Sequence, residues 1–204
     1  MKGQTDIISV VIIFVISLGL VSTAYLWGIP LIEKKQDTAL VDRVAKSFDR
    51  NNANSLEKKI EYIANNGGSD TFVADTNGIW YYNSSENSLQ FSFTAKASKI
   101  ATNLGWIALS SGNINLNGTL GIDDSFIVFG RSDITPSGQY NISYKVQFRT
   151  LWDSAGVNGF RIFLNNSSPS PYILGKYVKI SRGTVAADPQ NSNLIITEIK
   201  LLLG

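Results

Sequence analysis

Ile7–Ile32 reads IISVVIIFVISLGLVSTAYLWGIPLI, without a single charged residue. A helix crosses the hydrocarbon core of a bilayer in about 20 residues, so this run is long enough to span it. Its apolar residues go all the way round instead of forming one stripe, as a lipid-facing or fully packed helix allows. At ~1.5 Å per residue, about 30 Å from Ile7 is reached near Tyr25–Trp27, where an aromatic pair suits a membrane–water boundary. Gly28 and Pro30 follow. There the sequence predicts a kink, or a restart with Pro30 in the first turn of a second helix.

The residues before this run separate three readings of it. Ser22-Thr23-Ala24 offers small side chains for secretory cleavage after Ala24. Against that, Lys2 is the only basic residue ahead of the run, Asp6 adjoins it, and cleavage would leave YLWGIPLI exposed at the new terminus. A plain single-pass anchor is the second reading. The third comes from Met1-Lys2-Gly3-Gln4-Thr5-Asp6: a very short basic leader, Lys-Gly, then Gln, then a long apolar helix. That order resembles the class III signal peptide of archaeal type IV pilin-like proteins, and the likeness extends roughly from Lys2 to Val44.

The resemblance implies that a prepilin peptidase cuts between Gly3 and Gln4 on the cytoplasmic side, with Lys2, Gly3 and Gln4 as the processing residues. The apolar helix is then retained, first in the membrane and later in a bundle with identical subunits. Many members place a Glu at the fifth mature position; this chain has Ile8 there and Asp6 at the third. A carboxylate near a helix start is favoured by the helix dipole alone. Lys34 and Lys35 just after the run slightly oppose an outward domain by charge bias. The leader resemblance and the sequons described below favour it.

Beyond Ile32, Leu40, Val41, Val44, Ala45 and Phe48 recur on one face of an amphipathic helix, a stem that packs on sister helices or on its own domain. Asp42 and Lys46 are four apart and are expected to pair. Asn54 and Glu57 have the spacing of a reciprocal cap for a short helix whose stripe is Leu56, Ile60 and Ile63 and which ends at Asn66-Gly67-Gly68. From there the pattern turns to strands. Thr71–Asp75 and Ile79–Asn83 flank Asn77-Gly78, a hairpin signal. Leu89–Ala95, Trp106–Leu109, Ile114–Leu120, Phe126–Phe129, Tyr140–Trp152, Phe160–Leu164, Tyr172–Ile180 and Leu194–Leu203 follow, with the last strand expected inside a sheet. Short strands at this spacing predict an antiparallel β-sandwich or barrel.

The chain has no His and no Cys, which excludes imidazole triads, thiol nucleophiles, His/Cys zinc sites and disulfides. A net charge of +2 argues for no nucleic-acid partner. Charged residues make up 17%, below the ~25% common in soluble domains, with Asn, Ser, Gly and Thr in their place. Asn83, Asn117, Asn141, Asn165 and Asn166 each head an Asn-X-Ser/Thr sequon, an acceptor pattern for N-linked sugar. Asp123, Asp124, Asp133 and Asp153 match no EF-hand spacing and read as solvated loop residues. Trp80, Tyr81, Tyr82, Trp106 and Trp152 form either a sugar-binding platform or core, and core is the commoner role.

The expected organisation is a leader at 1–3, an apolar and stem helix at 4–50, a short helix and linker at 51–68, and a β-rich extracytoplasmic domain at 69–204. The expected function is non-enzymatic and cofactor-free: a subunit of a type IV pilus-like filament at the cell surface, for adhesion. The alternative is a membrane-anchored β-sandwich binding module, or a minor-pilin or stator-like accessory protein.

Overall fold

A computed structural model describes residues 2–102, 104–109 and 112–204, with side chains from residue 8 onward. One helix, α1 (Lys2–Lys46), is followed by a short helix, α2 (Leu56–Asn66). Ten strands complete the chain: β1 (Ser69–Asn83), β2 (Ser88–Ala95), β3 (Ile107–Ala108), β4 (Asn117–Thr119), β5 (Phe126–Ile134), β6 (Tyr140–Phe148), β7 (Thr150–Trp152), β8 (Gly159–Asn166), β9 (Tyr172–Asp188) and β10 (Asn191–Leu203). They form one sheet in the order β3-β5-β6-β2-β1-β9-β10-β8-β7-β4. The pairs are antiparallel except β10 with β8 and β4 with β7. The last strand lies between β9 and β8, as expected.

The sheet is curled, and the chain path shows why. β6 and β7 stand third and ninth in the order, yet only Arg149 separates them in sequence. The two halves must therefore meet at Arg149. Asn87 pins that meeting: its Nδ2 donates to Ile162 O at 2.7 Å and to Phe148 O at 3.4 Å, while its Oδ1 accepts from Leu164 N at 2.9 Å. Asn87 has φ 50, a left-handed value that Asn tolerates better than most residues.

The concave side of the curl holds the core and receives the helices. Val41, Val44 and Phe48 at the end of α1 are buried, as are Leu56, Ile60, Ile63 and Ala64 of α2. Phe48 stacks on Tyr144 with ring centroids 4.9 Å apart and contacts Phe72 and Phe91; Trp80 lies 4.5 Å from Phe91. The stem's apolar face packs on its own domain, one of the two readings of it. Each such side chain removed from water contributes about 1.5–3 kcal/mol.

Several local expectations are corrected. No hairpin forms at Asn77-Gly78: neither residue has the positive φ that a type I′ turn requires, and β1 runs through them with a register shift between Val73 and Gly78. The segment Tyr140–Trp152 is two strands broken at Arg149, and Trp106–Leu109 and Ile114–Leu120 shorten to Ile107–Ala108 and Asn117–Thr119. The cap of α2 is Ser55, not Asn54, and Glu57 faces the core. Asp42 pairs with Lys99 across the fold, not with Lys46. Helix α1 runs through Gly28 and Pro30 without a restart.

Candidate assembly surface

The apolar part of α1 belongs to no core. The span beginning at Ile8 is long and apolar enough to cross a membrane, and none of its apolar window is buried. Its large side chains stand well exposed, from Leu18 at 51% to Trp27 at 75%. Thr23 costs little there, because its Oγ1 donates back to Gly19 O at 2.8 Å. No neighbour lies within 4 Å of a Cβ built at Gly19 or Gly28. Pro30 lacks an amide hydrogen, so the helix loses one internal hydrogen bond there. Lys2, Gly3 and Gln4, where leader processing is expected, lie in the first turn of α1, and their side chains, with that of Asp6, lie outside the described residues.

The first polar turns after the span are tied to the head. Lys96, just beyond β2, pairs with Glu33, and its backbone amide donates to Asp37 Oδ2 at 2.7 Å. The Glu33 carboxylate beside it raises the Lys96 ammonium above the ordinary lysine value. Lys99 pairs with Asp42 one turn further on. These exposed pairs contribute little stability individually. Together with the buried Val41, Val44 and Phe48 they fix where the head sits along the helix.

At the opposite end of the head, Arg149 organises the corner. It is 5% exposed; its Nε donates to Asp124 O at 2.7 Å and its Nη1 to Asn113 O at 2.6 Å, with Asp123 3.8 Å away. Asp124 in turn pairs with Arg50 at 3.1 Å, just past the end of α1. Asp123 Oδ2 accepts from Thr119 N at 2.7 Å, which holds its carboxyl below the usual range. Asp153 does the same for Val157 N at 2.8 Å. Asp133 pairs with Arg131. The four aspartates are thus spent on separate turns and pairs, and among the described residues no three His, Cys, Asp or Glu side chains group to hold a metal ion.

The aromatic residues scatter. Trp80 is fully buried, Tyr82 donates to Leu164 O at 2.7 Å, and Trp106 lies under the Lys145 ammonium at 4.9 Å. Tyr81 leaves that group and stacks on Tyr172 of β9, at 4.2 Å and 11°, beside exposed Ile79 and Leu174. Trp152 stands at the end of β7, away from that pair. A shallow cleft of about 650 Å³ opens between α2 and the start of β1. Two of its lysines are already paired, Lys58 with Glu61 and Lys59 with Asp70.

The sequons separate by place. Asn83 ends β1 at an open turn, and Asn117 begins β4 at the sheet edge. Asn141 lies within β6, and Asn165 and Asn166 end β8. Sequence reasoning missed the buried position of Glu57, and missed Asn87 and Arg149 altogether. For Glu57 a signal existed, its helical register with Ile60 and Ala64; the other two take partners far away in sequence. Comparison with protein-family models, curated proteins and solved structures finds no match to this chain.

Proposed function

We propose that this chain is a structural subunit of an archaeal type IV pilus-like surface filament, assembled through α1 with its β-rich head outside the cell. The observation that carries the reading is one helix with two fates. Its last turns are core, while its apolar span is left entirely uncovered by its own fold. Apolar surface in water is unfavourable by about 25 cal/mol per Å², so a span of this size requires lipid or other helices around it. Lipid and a bundle of identical helices are nearly equivalent in hydrophobic terms, which leaves close packing to decide assembly. A prepilin peptidase acting between Gly3 and Gln4 is the permitting step, and the subunit is a single-pass membrane protein until it assembles. Ile8 at the fifth mature position leaves no buried acid to set register at that point, so side-chain packing sets it. The subunit acts by self-association and surface contact, without catalysis.

The N-terminus of the native product tests this directly. A start at Gln4 is expected; a start at Met1 selects a plain anchor, and one at Tyr25 a secreted head. Gly3→Val is expected to leave the leader attached, with the corresponding increase in intact mass, and to abolish filaments. A variant processed and assembled as normal would sink the proposal. The stack of half-buried Tyr81 on exposed Tyr172 favours a second reading, a membrane-tethered binding module or accessory subunit. Native material that retains α1 in membranes but yields no filaments selects it.

A further inference from the structure

We propose that the head carries N-linked sugar at Asn83 and Asn117, at the end remote from the apolar span, and at none of the other three sequons. The inference rests on the reading that the head lies outside the cytoplasm. An attached sugar replaces a proton of the asparagine Nδ2. Because only one of the two amide protons is replaced, the fold favours a sugar where that nitrogen makes no hydrogen bond and the hydroxyl of its sequon is not buried.

Three sequons fail this requirement. Asn165 Nδ2 donates to Glu198 Oε1 at 2.6 Å, and that carboxylate also accepts from Thr184 N. Asn166 Nδ2 donates to Ser170 O at 3.1 Å. Asn141, the second residue of β6, stands between Thr94 and Asp133 of the neighbouring strands, and the Ser143 of its sequon is buried, with its hydroxyl 2.8 Å from that of Ser92.

The remaining two meet it. Asn83 is at the β1–β2 turn with Ser84 and Ser85 exposed beside it. Its Oδ1 accepts from Ser85 Oγ at 2.7 Å, while its Nδ2 makes no hydrogen bond among the described residues. Asn117 is exposed at the start of β4, the terminal strand of the sheet, and its side-chain amide likewise makes none among the described residues. The two sites are neighbours, since Ser85, Glu86 and Asn117 line one shallow cleft of about 310 Å³. That cleft is far from the membrane end: β2 runs from this turn to Lys96, which pairs with Glu33, and eight residues of strand span about 26 Å. Leu116 and Leu120, 58% and 52% exposed, flank Asn117 and would be shielded by a sugar there.

In the attachment step the asparagine Nδ2 attacks the anomeric carbon of a sugar carried on an isoprenoid phosphate or diphosphate. The C–N bond forms as the C–O bond to phosphate breaks. The phosphate leaves on the lipid, and the amide yields one proton to a base of a separate transferase. Peptide mapping by mass spectrometry of the protein purified from its native cells tests the assignment. Sugar mass is expected on the peptides holding Asn83 and Asn117, with Asn141, Asn165 and Asn166 bare. The double variant Ser85→Ala/Thr119→Val, which keeps both asparagines, is expected to lose all of the added mass. Sugar on any of the other three, or a bare Asn83 or Asn117, overturns the proposal. Protease digestion of intact cells separates the causes. Bare asparagines on a head that protease reaches overturn the site assignment alone; on a protected head they overturn it together with the extracytoplasmic reading.

Discussion

Burial holds the Glu57 carboxyl protonated far above its ordinary range, with its pKa raised to about 7. Its own amide, Ser55 and Lys58 offset only part of that cost, and neither oxygen has a hydrogen bond of ordinary geometry. In the unfolded chain the group titrates near 4.5. Between about pH 4.5 and pH 7 the unfolded state has released a proton that the folded state keeps, so stability falls as pH rises through that window. The displacement from 4.5 to about 7 corresponds to about 3 kcal/mol. Glu57→Gln cannot titrate, so its stability relative to the parent should improve by about this amount from pH 4 to pH 8. Urea unfolding at the two pH values measures it, and parallel pH curves for parent and variant would refute the role. Glu57 has the spacing of a capping partner for Asn54, but Ile60 and Ala64 share its helical face, and burying them carries the carboxyl inward. Tertiary packing overrode a local signal.

The β1 strand shows the same conflict at the scale of an element. Asn77-Gly78 between two alternating runs is what a hairpin looks like, yet the glycine serves a different need. A Cβ at Gly78 would stand 2.5 Å from Ser92 O and 2.6 Å from the Phe91 ring. Gly78 is there because β2 lies too close for a side chain, and the register shift lets β1 bend around the core. Gly78→Ala should therefore destabilise by about 1–3 kcal/mol through overpacking. Asn77→Ala, at an exposed position outside any tight turn, should stay within about 0.5 kcal/mol. Thermal melts of the pair decide it, and equal losses would restore the hairpin. Elements whose logic is local were legible from sequence, among them the runs Leu89–Ala95 and Leu194–Leu203, which fall in β2 and β10. The break between β6 and β7 was not, because it is made by Arg149 reaching carbonyls at Asn113 and Asp124. The apolar span of the candidate site was fully legible, since absence of charge needs no partner to be read. The ion pair that ties the stem to the head was not: Asp42 has Lys46 at helical spacing, but the fold brings Lys99 to it.

For the whole molecule, α1 is two objects joined end to end, and cutting between them separates the claims about each. The span from Ile8 to Ile32 contributes no residue to the core, so its removal should not change the head's stability. A chain beginning at Glu33 keeps Val41, Val44 and Phe48, together with the Glu33–Lys96 and Asp42–Lys99 pairs. It should be monomeric and unfold cooperatively without detergent. A chain beginning at Arg50 loses the Phe48 ring from its place 4.9 Å from Tyr144, and Val41 and Val44 with it. Removing one buried Phe side chain costs about 3–5 kcal/mol, against a total of about 5–15 kcal/mol for a typical domain. The shorter chain should therefore lose its near-ultraviolet circular dichroism and its cooperative melt, while the full chain requires detergent or lipid and self-associates when these are withdrawn. Sedimentation and thermal melts of the three chains are the measurement. If the chain from Arg50 melts like the chain from Glu33, the stem is not core. If the full chain stays monomeric in water, the uncovered span is not an assembly surface, and the filament reading falls with it.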